Sequence, residues 1–207
     1  MRYRDRYQAG LVLADHLRRY AEAPGAGVLG LPRGGVVVAS AVAAVLRLPL
    51  DVLVVRKLGL PWSPEVAFGA VGGNAVDVRD TRAARLVSEA DAARVVARER
   101  AELARRETLY RGGRPPLDLT GRTAILIDDG LATGATARAA IGVARRLGAR
   151  TVVFAAPVGA QDTVAALRRL ADDVVCPVTP VDFAAVSTFF QTFGQVSDQT
   201  VIKLLAE

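Results

Sequence analysis

Residues 123–136 read Thr-Ala-Ile-Leu-Ile-Asp-Asp-Gly-Leu-Ala-Thr-Gly-Ala-Thr, and no other stretch restricts the fold of this chain so tightly. An apolar run of strand length, residues 122–127, ends at two adjacent carboxylates, Asp128 and Asp129. A loop of small residues follows and leads into a helix expected over 137–147 and closed by Gly148. A continuous apolar strand is buried on both faces, which is the condition of a strand inside a parallel sheet covered by helices.

The same rhythm recurs on either side. Apolar positions at Leu11, Val12, Ala14 and Leu17 predict an amphipathic helix over 7–20. Residues 28–31 predict a strand, Pro32-Arg33-Gly34-Gly35 a tight turn, and 36–46 a buried helix that ends before Pro49. Residues 50–55 predict one buried strand finishing in Arg56-Lys57. Strands over 151–156 and 173–176 flank a helix over 162–170. This alternation implies an α/β fold with a parallel central sheet and helices on both faces. Between the halves, residues 58–74 carry Gly59, Pro61, Pro64, Gly69, Gly72 and Gly73, a flexible excursion with a hairpin over 65–71 and 75–78. Ser88 followed by Asp91 is a capping box that opens a long helix reaching about Tyr110. Its Arg and Glu residues four apart suit a solvated face.

Composition narrows the chemistry. The 207 residues are 51% hydrophobic and 23% charged, which excludes a disordered or collagen-like chain. One Cys, Cys176, excludes a disulfide framework and a multi-Cys zinc site, and one His, His16, leaves little for a His-based triad. His16 reads as a surface helix residue. The formal net charge of +6 favours anionic partners. Of the 27 Lys and Arg, only Lys57 and Lys203 are lysine. The early charges Arg2, Arg4, Asp5 and Arg6 are unlike a signal peptide, and the longest apolar run, 34–46, is too short to span a bilayer. A soluble, cytoplasmic protein is expected.

The loop after the acid pair has the chemistry of an anion site. Small residues at Ala132, Gly134 and Ala135 let backbone N–H groups close around an anion. Hydroxyls of Thr133 and Thr136 add donors, and a helix N-terminus adds positive potential. A phosphate held there lies one short sugar from Asp128 and Asp129, which can accept from ribose hydroxyls and hold Mg2+ directly or through water. A Walker loop is excluded, since no Gly-Lys-Ser/Thr follows. The literal Gly-x-Gly-x-x-Gly at Gly25, Gly27 and Gly30 precedes and enters a strand instead of opening a helix, which excludes a dinucleotide fingerprint. Too few residues follow Asp128 for a phospho-receiver domain.

This block resembles the phosphoribosyl pyrophosphate (PRPP) signature of type I phosphoribosyltransferases: four apolar residues, two acids, a few small residues, then Thr-Gly-x-Thr. Gly130 departs from it, standing where the family usually has an aliphatic residue. Leu31-Pro32-Arg33-Gly34-Gly35 resembles the family's pyrophosphate loop, and Arg56-Lys57 with the stretch after it sits where the family has a mobile catalytic loop. The match runs from about residue 8 to 176. It implies one domain over 1–207, with a core of about 8–176, a mobile loop of about 57–78 and a hood of about 177–207. It further implies Mg2+-dependent transfer of ribose 5-phosphate from PRPP to a nucleobase-like nitrogen acceptor, with release of pyrophosphate. Asp128, Asp129, Arg33 and Lys57 would be catalytic, the two acids also holding the metal. Arg33, Gly34, Gly35 and residues Ala132, Thr133, Gly134, Ala135 and Thr136 would bind PRPP.

In such a hood, Phe183, Phe189 and Phe190 are candidates for stacking on a base. Arg33-Gly34-Gly35 and Phe154-Ala155-Ala156-Pro157 resemble xanthine–guanine transferases. Those enzymes, however, place a Lys that reads the purine 6-oxo group about where Ala156 stands, which argues against a 6-oxopurine. Expected partners are PRPP, a nucleobase-like small molecule and a second copy in a homodimer, with no membrane. A PRPP-sensing or nucleic-acid-binding protein on the same fold, without catalysis, is the alternative.

Overall fold

The computed structural model describes residues 2–73, 76–79 and 83–207. In chain order its elements are α1 (Arg6–His16), β1 (Ala26–Gly30), α2 (Gly34–Leu46), β2 (Leu50–Val52), β3 (Val55–Leu60), β4 (Ser63–Gly72) and β5 (Asp77–Arg79). There follow α3 (Glu89–Arg111), β6 (Thr123–Ile127), α4 (Ala135–Arg146), β7 (Thr151–Ala155), α5 (Gln161–Leu167), β8 (Asp173–Val175) and α6 (Asp198–Ala206). A five-stranded sheet runs β2-β1-β6-β7-β8 with every neighbouring pair parallel. The expected α/β architecture is present.

Alternation along β6 and β7 divides the core. Ile125, Ile127, Val153 and Ala155 pack with Leu13, Val38 and Val42 of α1 and α2. Ala124, Leu126, Val152 and Phe154 pack on the other face with Ala140, Ile141 and Val143 of α4 and with Val164 and Leu167 of α5. Both faces of these strands are therefore dry, and their side chains are apolar without interruption.

The expected strand over 50–55 is instead two strands in two sheets. β1 makes its last bond to this segment at Leu53 N–H to Gly30 O, 3.1 Å, while Leu31 N–H turns to Ile127 O at 2.9 Å. With no partner edge left, the chain departs. Val55–Leu60 then pairs antiparallel with β4 in a second sheet ordered β3-β4-β5. The Gly- and Pro-rich excursion is thus a paired sheet among the described residues. Its glycines serve close packing: a β-carbon on Gly59 would lie 2.5 Å from Pro64 O, and Gly72 lies directly against the Val143 side chain of α4. Of the expected second hairpin strand, Ala75 lies outside the described residues.

Ser88 caps α3 as read, its hydroxyl accepting from Asp91 N–H at 3.1 Å. Only Val95, Glu99, Leu103 and Tyr110 of that helix are buried. The chain after β8 divides into two parts. Residues near 183–193 pair with the N-terminus, through Tyr3 N–H to Phe189 O and Gln191 N–H to Tyr3 O, both 2.8 Å. α6 belongs elsewhere: Val201 is buried among Val36, Val52, Phe68 and Leu103.

Candidate active site

The sheet order reverses direction between β1 and β6. From β1 the chain passes through α2 to β2 on one side, and from β6 through α4 to β7 on the other. The two loops leaving the carboxyl ends of these adjacent strands diverge onto opposite faces and leave a crevice, the usual ligand position in open α/β sheets. One loop carries Arg33, Gly34 and Gly35. The other runs from Asp128 to Gly134.

Both helices that begin at this crevice open without a side-chain cap and without an acidic residue in the first turn. Their positive dipole ends are thereby left for an anion, and at α4 the first N–H, of Ala135, makes only a 3.5 Å hydrogen bond to Thr133 Oγ1. At α4 the capping position is Gly134, whose φ of 72° is the left-handed conformation that glycine adopts without a Cβ penalty. The loop before it is pinned from beneath. Leu131 N–H donates to Val158 O at 2.9 Å, and Thr163 Oγ1 donates to Ala132 O at 2.7 Å. Ala132, Thr133 and Thr136 are exposed on it, and Arg138 Nη2 donates to Thr133 O at 2.9 Å.

The acid pair stands against the start of α2. Asp128 Oδ1 accepts from Asp129 N–H at 2.9 Å and would lie 3.3 Å from a β-carbon on Gly35. Asp129 Oδ2 lies directly against Gly34, where a β-carbon would overlap it, and accepts from Arg6 Nε at 2.6 Å. Burial, and next the neighbouring Asp129 carboxylate, push the Asp128 carboxyl well above the usual carboxylate range. The Asp129 N–H and Arg6 only partly oppose this. Two hard carboxylates side by side suit Mg2+, which takes one or two carboxylates and completes its octahedron with water and phosphate oxygens. Asp128 and Asp129 are the protein groups that would hold such an ion here.

Arg33 precedes α2 and is preceded by a cis peptide bond from Pro32. Its Nη1 lies 3.9 Å from Asp198 Oδ1 at the start of α6, an oxygen that also accepts from the Tyr110 hydroxyl at 2.6 Å. Lys57 lies in β3 opposite Ala70. Its neighbour Arg56 is turned to the buried Glu99 of α3, with Nε to Oε2 at 2.8 Å. Alternation along the strand sets Lys57 on the other face, from which Val55 packs against the α4 cluster.

The hood rings separate. Phe183 and Phe189 are stacked, with centroids 5.7 Å apart and planes at 12°, and both are partly exposed. Phe190 is 1% exposed, held between Tyr3 at 5.6 Å and Phe193 at 4.8 Å, so its ring closes the core beneath the hood. Val186 fills the space beside Gly130. Ala156 is fully buried, so no side chain reads a ligand from that position.

Sequence reasoning missed Arg6, Phe193, Arg138 and Asp198. Arg138 and Asp198 stand within a helical turn of a helix start, a detectable signal. Arg6 is one of three alternating arginines, Arg2, Arg4 and Arg6, and nothing in that pattern distinguishes it.

A family model described as Phosphoribosyl transferase domain matches residues 13–189. The chain belongs to this phosphoribosyl transferase family. Two Mycobacterium tuberculosis proteins, each bearing the name "Putative phosphoribosyl transferase", are 50% identical over 204 residues, 97% of this chain. The chain spans 46% of their length, about half. The crystal structure of TT1426 from Thermus thermophilus is 44% identical, covers 99% of this chain and 98% of its own, and superimposes with a TM-score of 0.89. No helix among the described residues is long and apolar enough to cross a membrane.

Proposed function

We propose that this phosphoribosyl transferase domain moves ribose 5-phosphate from PRPP to a nucleobase-like nitrogen acceptor, releasing pyrophosphate, with Mg2+ as the required ion. The observation that carries this reading is the pair of helix N-termini without side-chain caps that follow β1 and β6 at the reversal of the sheet, with Asp128 and Asp129 packed against the first of them. The α4 start and Thr133–Thr136 hydroxyls hold the 5-phosphate. Asp128 and Asp129 accept from the ribose hydroxyls. Arg33 and the α2 start meet the pyrophosphate, where positioned donors stabilise the charge that develops as the bond to C1 breaks. Mg2+, when bound, neutralises charge on the departing pyrophosphate. Lys57 adds a second cation at the leaving group. The β3–β4 hairpin is the element assigned to cover the site and exclude water. Phe183 and Phe189 are the rings available to an acceptor.

Isothermal titration with PRPP and Mg2+ tests the site, and a screen of purine, pyrimidine and small nitrogen acceptors read by pyrophosphate release tests the transfer. Absence of PRPP binding would sink the reading. A cytoplasmic homodimer belongs to the same proposal, and sedimentation equilibrium tests the dimer.

A nucleic-acid-binding reading has one observation in its favour. Arg122, Arg146, Arg150, Arg168 and Arg169 are all exposed toward the end of the sheet opposite the acid pair. Retardation of nucleic acid that falls steeply with salt would support it. Four further arginines are paired along α3, where Arg94, Arg98, Arg105 and Arg106 meet Asp91, Glu99 and Glu102.

A further inference from the structure

Arg6 is the first residue of α1, whose first turn holds no acidic residue. A cation there opposes the helix dipole, so its position is not explained by the helix. The side chain instead crosses to the acid pair. Its Nε donates to Asp129 Oδ2 at 2.6 Å, its Nη1 donates to Gly194 O at 2.8 Å, and its guanidinium lies 3.7 Å from the centroid of the Phe193 ring. The side chains of Arg6 and Asp129 are only 13% and 18% exposed. Three contacts from two segments, the acid loop and residues 193–194 of the hood, thus fix one guanidinium. A pair this sheltered is screened little by solvent, unlike the exposed pairs of α3.

The contact also sorts the oxygens of Asp129. Oδ2 is enclosed between Gly34 and Arg6, which leaves Oδ1 for a ligand. We propose that Arg6 is a positioning residue for the acid pair: it holds Asp129 with Oδ1 toward the ribose subsite and ties that orientation to the hood. This rests on the PRPP reading of the site. Hood and ribose subsite then form one unit, so an acceptor that displaces Phe193 or Gly194 is felt at the ribose.

The test uses the full chain with Arg6→Gln, Arg6→Lys and Phe193→Leu, titrated with PRPP in the presence of Mg2+ and with inorganic pyrophosphate in its absence, alongside thermal unfolding. Pyrophosphate has no ribose and so reports the Arg33–Gly35 loop alone. Arg6→Gln is expected to weaken PRPP with Mg2+ by about 10-fold to 100-fold, the range typical of removing a residue that orients a metal-binding side chain, with pyrophosphate unchanged. Arg6→Lys restores part of the PRPP affinity. Phe193→Leu weakens PRPP less than Arg6→Gln does, and serves alone if Arg6→Gln does not fold. PRPP binding to Arg6→Gln as to the unmodified chain would overturn the inference while leaving the site reading intact. Equal loss of both ligands with a lowered unfolding temperature would show a purely structural ion pair and also overturn it. Failure of the unmodified chain to bind PRPP would instead remove the site reading itself.

Discussion

Gly35 and Asp128 meet main chain to main chain: a β-carbon on Gly35 would stand 3.0 Å from Asp128 Cα and 2.5 Å from the Ile127 carbonyl oxygen. Neither atom belongs to a flexible side chain, so Gly35→Ala must displace α2 or the end of β6. Alanine gains about 1 kcal/mol over glycine inside a helix, but overpacking costs about 1–3 kcal/mol, and the clash outweighs the propensity. The expected result is a lower urea midpoint with an unchanged slope, together with weaker PRPP binding. A midpoint equal to or above that of the unmodified chain would contradict it.

This contact shows what the sequence could and could not disclose. Gly34 and Gly35 are legible as positions of close approach, because a turn between a strand and a buried helix with two glycines has few other purposes. That they admit the acid pair as well as a ligand is a property of β1 and β6 lying side by side, which nothing local encodes. The strands and helices around 123–136 were readable because burial on both faces leaves an uninterrupted apolar signature. The antiparallel pairing of β4 with β5 was readable as a hairpin from its glycines and prolines. The separation of β3 from β2 was not, since Val55 ends the apolar run that holds β2 and only the end of β1 decides where the chain leaves. Phe190 was equally opaque, because a ring that closes a core and a ring that stacks on a base look alike in sequence. Arg6 acquires its role through contacts with residues near 129 and 194, and no spacing in the N-terminal segment hints at either.

Replacing the two acids separately should have opposite effects on stability. Asp128 is held above its usual range by burial and by its neighbour, so it carries an electrostatic penalty when ionised. Asp128→Asn removes that penalty and is expected to leave the unfolding temperature unchanged or higher at pH 7. Asp129→Asn breaks the sheltered pair with Arg6 and should cost about 1–3 kcal/mol, less than a fully buried pair. Both variants should lose PRPP–Mg2+ binding in titration. Calorimetry that finds Asp128→Asn the less stable of the two would refute the assignment of strain to Asp128.

Gly130 stands where an aliphatic residue is common in the family, and Val186 of the hood occupies the space instead. Gly130→Val should therefore lift the hood from the acid loop and destabilise the chain. Val186→Ala alone should cost less, and adding it to Gly130→Val should recover part of the loss. A double-mutant cycle by chemical denaturation measures this, with a coupling of about 0.5–3 kcal/mol expected for residues in contact. Strict additivity would mean that the two positions do not share the space.

Glu107 of α3 lies over Gly73 at the end of β4, and burial raises its carboxyl above the ordinary range while Arg111 opposes the shift. An acid whose folded-state value is raised has no penalty below the unfolded value of about 4.3, where both states are protonated. The penalty grows as pH rises through the folded value, and above it is fully present. Glu107→Gln keeps the shape and removes the charge, so it should stabilise the protein at pH 7. With solvent screening the gain is below about 1 kcal/mol, up to about 3 °C in Tm for a chain of this size. The difference should shrink as pH falls toward about 4, where the protonated glutamate and the glutamine are equivalent. Thermal unfolding of both proteins across pH 4–8 checks the sign directly: a variant less stable at pH 7, or an advantage that grows toward acid pH, would show that Glu107 is stabilised in its charged form.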